Sequence, residues 1–107
     1  MGEMEIKNTT QLISLYGQAK CTIIDPYSQY AYIGTSDGTN SYIIKFDIQK
    51  SIINFVSSSF SSTVIACGVM SSNNTYAYFA SNNTSGSTVN FYKISLSNLS
   101  ITSSITN

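Results

Sequence analysis

The chain has 107 residues and no net charge, five lysines being balanced by five acidic residues, and only 9% of it is charged. At 42% hydrophobic it can bury the core of one domain, while 31 Ser and Thr and ten Asn supply an uncharged polar exterior. Without His, Arg or Trp it lacks the residues for Ser-His-Asp or Cys-His catalysis and for His-ligated metal sites, and its scattered lysines form neither the stripe that nucleic acid requires nor a polybasic membrane patch. No enzyme, metal or cofactor is therefore expected.

From the N-terminus, Met1-Gly2-Glu3-Met4-Glu5 is acidic and lacks the basic-then-apolar shape of a signal peptide. Ile6 stands where a myristoylation pattern needs Ser or Thr. Short strands are expected at 6–7 and 11–16, as two elements or one interrupted one, then at 21–25, 30–35, 42–48 and 52–57. Further strands are expected at 64–69, 76–81 and 88–95, with a tenth at 99–105. The signal is alternation of period two: apolar residues fall at 44, 46 and 48 in one run and at 92, 94 and 96 in another. Polar clusters at 26–29, 35–41, 57–62, 71–75 and 82–87 read as turns and loops. The longest apolar run, Val64 to Met70, has strand length and falls far short of the roughly 20 residues of a membrane-spanning helix.

The strands repeat. At an offset of 46 residues Cys21 meets Cys67, Tyr30-Ala31-Tyr32 meets Tyr76-Ala77-Tyr78, Ile33 meets Phe79, Gly34 meets Ala80 and Thr35 meets Ser81. After the next loop the offset is 48, so that Lys45, Phe46 and Ile48 meet Lys93, Ile94 and Leu96. A partial copy opens the chain at an offset of 40, with Ile6, Leu12, Ile13 and Leu15 meeting Phe46, Ile52, Ile53 and Phe55. Four strands in about 46 residues is the size of one β-propeller blade. The organisation is then an outer-strand-like segment at 1–18, a first blade at 19–63 and a second at 64–107.

The first copy runs Cys21-Thr22-Ile23-Ile24-Asp25-Pro26, then Tyr30-Ala31-Tyr32-Ile33-Gly34-Thr35, a loop with Gly38, and Ile43-Ile44-Lys45-Phe46-Asp47-Ile48. It resembles the YVTN/NHL-like propeller repeats found in tandem in large extracellular proteins, including amoebal cell-surface proteins. The second copy departs from that pattern, with Ser71, Ala80 and Ser95 in place of Asp25, Gly34 and Asp47. The resemblance implies an all-β fold of four-stranded antiparallel blades and an extracellular or cell-surface setting. It says little about ligand, because propellers host many functions.

Two blades do not close a propeller, which needs about 4–8. Three chains would give six blades and four would give eight; alternatively the chain belongs to a longer propeller, or it assembles head to tail into a filament. The expected partner is a second copy of the chain, meeting it through blade faces and edge strands, with glycans as the alternative. Tyr30, Tyr32, Tyr76 and Tyr78 project to one face within each pair and are candidates for an aromatic sugar-binding surface, packing between blades being the plainer reading. Asp25 is a candidate ligand group, with capping of the following turn as the plainer role. Cys21 and Cys67 read as two small buried residues. Five Asn-x-Ser/Thr sequons, at Asn8, Asn73, Asn82, Asn83 and Asn98, are candidate glycosylation sites.

Overall fold

The computed structural model describes residues 16–85 and 88–106. They form an all-β structure of nine strands: β1 Gln18–Ile24, β2 Tyr30–Ser36, β3 Asn40–Asp47, β4 Ile52–Val56, β5 Phe60–Ser61, β6 Thr63–Met70, β7 Tyr76–Asn83, β8 Val89–Ser95 and β9 Ile101–Thr106. Two antiparallel meanders result. The first runs β1-β2-β3-β4 with β5 also on β3, the second runs β6-β7-β8-β9, and neither closes on itself. The expected strand at 6–7, Asn8, and all but Tyr16 of the strand expected at 11–16 lie outside the described residues.

The sequence repeat is a repeat of backbone detail. Lys20 is bulged out of the β1–β2 ladder, and Ala66 is bulged out at the equivalent place between β6 and β7. Asn54 and Thr102 are the unpaired residues of the two outer strands, where each register slips by one. Such bulges sharpen the local twist. The turns match too. Ser28 and Asn74 both take positive φ, and so do Ser51 and Leu99.

One difference between the copies was not apparent from the polar run at 57–62. The first sheet's outer strand is broken into β4 and β5, and both parts pair with β3. Ser57 bridges the break: its backbone N–H donates to the Ile43 carbonyl at 2.9 Å, and its hydroxyl accepts the Ile43 N–H at 2.9 Å. Composition marks this stretch as loop, yet those two bonds hold it against β3 so that Phe60 can enter the core.

Pairing across the ladders assigns each side chain to a face. The front of the first sheet carries Cys21, Ile23, Tyr30, Tyr32, Gly34, Ile43 and Lys45. It packs against the back of the second sheet, which carries Ile65, Met70, Ala77, Phe79, Tyr92 and Ile94. Ile43, Ile65, Ala77, Phe79 and Ile94 are completely buried there. The Phe60 and Tyr92 rings meet edge to face at 5.2 Å. Gly34 is required at its position: a Cβ there would lie 2.8 Å from Ile65 Cγ2 and 2.9 Å from Cys21 Sγ.

A polar clamp fixes the two sheets at one end. The exposed edge of β6 would leave backbone groups unpaired, and the β2–β3 hairpin takes them up. Thr63 N–H donates to the Thr39 carbonyl at 3.2 Å. The fully buried Ser41 hydroxyl donates to the Thr63 carbonyl at 2.6 Å and accepts the Ile65 N–H at 3.1 Å.

Candidate interaction surface

The tyrosine and lysine pattern of each copy becomes one structural unit. Tyr32 pairs directly with Lys45, and Tyr78 with Lys93. Each lysine then leans diagonally over the other tyrosine of its copy: Lys45 Nζ lies 4.4 Å from the Tyr30 ring centre, and Lys93 Nζ lies 4.1 Å from that of Tyr76. The ring faces are electron-rich, so each contact stabilises a cation by roughly 0.5–1 kcal/mol where water still reaches it. The Lys45 Nζ also donates to the Leu96 carbonyl of the opposite sheet at 3.5 Å.

The two copies differ in what covers this unit. In the first sheet it is the inter-sheet contact. Tyr32 is buried, and its hydroxyl is pushed up to about 12, first by burial and then by the negative charges of Asp25 and Tyr30. In the second sheet the same unit lies on the open front face. Tyr78 stacks on Phe91 with ring centres 5.8 Å apart, and Phe91 and Val69 remain 43% and 61% exposed. Their counterparts in the first copy are Ile43 and Ile23, the former completely buried and the latter packed on the core. Among the described residues, no segment covers this second face.

Of the residues singled out from sequence, Asp25, Tyr30 and Tyr32 come together. They line a cleft of about 440 Å³ between the sheets with Lys45, Gln29 and the exposed Tyr27 on one side, and Asn74, Thr75, Leu96 and Ser97 on the other. Tyr76 and Tyr78 are not part of it. The Asp25 carboxylate accepts backbone N–H groups from Tyr27, Gln29 and Tyr30 at 3.1, 2.8 and 3.2 Å. It therefore holds the β1–β2 turn. In the second copy two residues divide this role. The Ser71 hydroxyl accepts the Tyr76 N–H, and the Asn73 side chain accepts the Thr75 N–H. The resemblance of the turns thus survives the loss of the aspartate.

The four sequon asparagines among the described residues occupy turns and a strand end. Asn73 and Asn98 are exposed, and each uses its side-chain oxygen to accept from neighbouring Ser or Thr groups. Asn82 is exposed and Asn83 half-buried at the end of β7. Cys21 and Cys67 are free thiols. Burial pushes the Cys21 thiol up, a backbone hydrogen bond at Gly34 pulls it down, and the nearby Cys67 raises it further. Cys67 is exposed on the open front face, where it pairs with Ala80, and so departs from the expected burial.

The contacts of Lys45, Lys93, Phe91 and Ser41 were not legible in the sequence. The equivalence of the two lysines is visible in the repeat, but their contact with tyrosine depends on strand register. Compared with known protein families, characterised proteins and solved structures, the chain matches none of them.

Proposed function

We propose that the chain is a non-enzymatic β-propeller module that acts in self-assembly, as a ring or filament, or in binding at a cell or particle surface. One observation carries this reading: the same patterned face occurs twice, covered in the first sheet and open in the second. An open sheet face bearing Val69, Tyr78, Phe91 and Val89, the last 56% exposed, loses apolar area from water when a partner covers it. Front-to-back packing of two similar four-stranded units is how consecutive propeller blades meet, and the resemblance to YVTN/NHL-like repeats supports the same architecture. Native mass by light scattering over a concentration series tests the assembly. A discrete mass of three or four chains supports a ring, and a mass that grows with concentration supports a filament. A folded, strictly monomeric chain refutes self-assembly.

The inter-sheet cleft favours a second reading, a lectin-like site. It combines Tyr27, which is 80% exposed, with the amide and hydroxyl groups of Gln29, Asn74 and Ser97. An exposed ring beside uncharged hydrogen-bonding groups suits a neutral sugar. A glycan array with no binding refutes this reading.

A further inference from the structure

Resting on the cell-surface reading, we infer that Asn98 carries an N-linked glycan whose first sugar packs into the apolar groove beside it. Asn98-Leu99-Ser100 is a complete acceptor sequence, and the fold holds it in one pose. Leu99 takes a positive φ of 57°, rare for a bulky side chain, and is only 3% exposed. Its side chain belongs to the core between the sheets, and its N–H donates to the Ser95 carbonyl at 2.7 Å. With Leu99 anchored inward, Asn98 and Ser100 on either side of it are exposed. The Asn98 side-chain oxygen accepts the Ser100 N–H at 3.1 Å and the Ser100 hydroxyl at 2.8 Å. Both bonds use the oxygen and leave the side-chain nitrogen for the sugar.

The groove gives that sugar something to cover. It encloses about 270 Å³ where the outer strand β4 meets the β8–β9 turn, and Asn98 is the sequon asparagine that lines it. Phe60 and Leu99, both buried, form its floor, and Phe55 and Ile101, 45% and 47% exposed, stand at its mouth. The exposed Ser58 and Ser59 add hydroxyl groups. Small-molecule pockets run to roughly 300–1,000 Å³, so the space suits one sugar ring rather than an oligosaccharide. The C–H face of an N-acetylhexosamine takes apolar area of Phe55 and Ile101 out of water, while its hydroxyl and acetamido groups meet the serines. The equivalent turn of the first copy is Lys50-Ser51-Ile52, which has no acceptor. The groove shares no lining residue with the inter-sheet cleft and includes none of Val69, Tyr78 and Phe91 of the open face. The first sugar therefore covers neither of those surfaces.

The transfer is made before the chain folds. The Asn98 nitrogen bonds to the anomeric carbon of an oligosaccharide carried on a lipid diphosphate. The anomeric C–O bond breaks, the lipid diphosphate leaves with the electron pair, and the amide gives up one proton to the transferase. Folding then brings the sugar onto Phe55, a residue distant from Asn98 along the chain. A contact made in the native state and not in the unfolded chain stabilises the native state.

The test makes the chain twice: without sugar in a bacterial cytoplasm, and behind a cleavable secretion leader in a eukaryotic host. The supplied leader separates the site from the question of how the chain reaches a surface. The expected result is a glycan on Asn98 in most of the secreted molecules by peptide mass mapping, and none there in Ser100→Ala. The secreted protein melts roughly 4–8 °C above the bacterial one and keeps that difference when its glycans are trimmed to the first N-acetylglucosamine. The difference falls by at least half in Ser100→Ala, which has no sugar at Asn98, and in Phe55→Ala, which has the sugar and no ring beneath it. Each variant is compared with itself made in the other host, so glycans on other sequons cancel. An unmodified Asn98 in the secreted chain overturns the inference and leaves the surface reading to its own test by light scattering. A difference that persists in Phe55→Ala overturns the packing. If Phe55→Ala does not fold, the unaltered glycoprotein serves: nuclear Overhauser contacts are expected between the first sugar and the Phe55 ring, and their absence overturns the inference.

Discussion

Ser41→Ala measures how much the polar clamp contributes to joining the two sheets. The hydroxyl lies completely buried and makes two bonds, to the Thr63 carbonyl and from the Ile65 N–H. Alanine removes both and leaves two backbone groups buried at the edge of β6. A net hydrogen bond contributes about 1 kcal/mol, and a buried group left without a partner costs about 1–3 kcal/mol. A loss of about 2–3 kcal/mol is expected, which is a large share of the roughly 5–15 kcal/mol typical of a folded domain. For a domain of this size that corresponds to a fall in Tm of roughly 10–20 °C. Urea unfolding followed by circular dichroism, at a concentration where the chain is monomeric, gives the value. Val89→Ala at the equivalent position of the second sheet, 56% exposed, is the control and is expected to cost about 0.5 kcal/mol or less. A Ser41→Ala change below about 0.5 kcal/mol would mean that water satisfies Thr63 and Ile65, and the clamp would not be a structural feature.

The Gly34–Ile65 contact predicts coupling: Gly34→Ala overpacks the interface and is expected to cost about 1–3 kcal/mol. Combined with Ile65→Ala, the double variant is expected to lose less stability than the two single losses together, by at least about 0.5 kcal/mol in a double-mutant cycle; simple additivity would show that the two residues do not meet. The hydroxyls of Thr35 and Ser81, at equivalent positions, are buried with no hydrogen-bond partner. Thr35→Val and Ser81→Ala are therefore expected to be neutral or to stabilise by up to about 1 kcal/mol in thermal unfolding, and a loss above about 1 kcal/mol would reveal a partner. Tyr32 gives a pH dependence. Its hydroxyl ionises near 10.0 when unfolded and at about 12 when folded, so the folded chain holds the proton more tightly between those values. Stability falls as pH rises through that window and is unaffected by this group below it. Urea midpoints compared at about pH 9 and about pH 11 test this: the fall should be smaller in Tyr32→Phe, and an equal fall in both proteins would assign it to other groups.

Much of the local structure was legible in the sequence because its causes are local. Alternation in Ile44 to Ile48 and Tyr92 to Leu96 marked strands, since successive side chains leave a strand on opposite sides. Matching Tyr-Ala-Tyr segments aligned the two copies, and that alignment extends to bulges and turns which the residue types do not reveal. Even where Asp25 gives way to Ser71, the turn survives, because Asn73 supplies a second acceptor. Less was legible where two distant groups meet. The start of β1 at Gln18 and the pairing of β5 depend on contacts with Ser36 and Ser41, neither of which can be read from neighbouring residues.

The sequence by itself determined the repeat, the all-β character and the shared face of each tyrosine pair. Tertiary structure alone decided which of two nearly equivalent faces is buried. Tyr30 and Tyr76 have similar neighbours along the chain, yet one lines the cleft between sheets and the other lies on an open surface. The physical reason is that strand alternation specifies faces within a sheet, whereas covering a face requires a second sheet. The chain places one sheet in front of Tyr30, and among its described residues it places none in front of Tyr76.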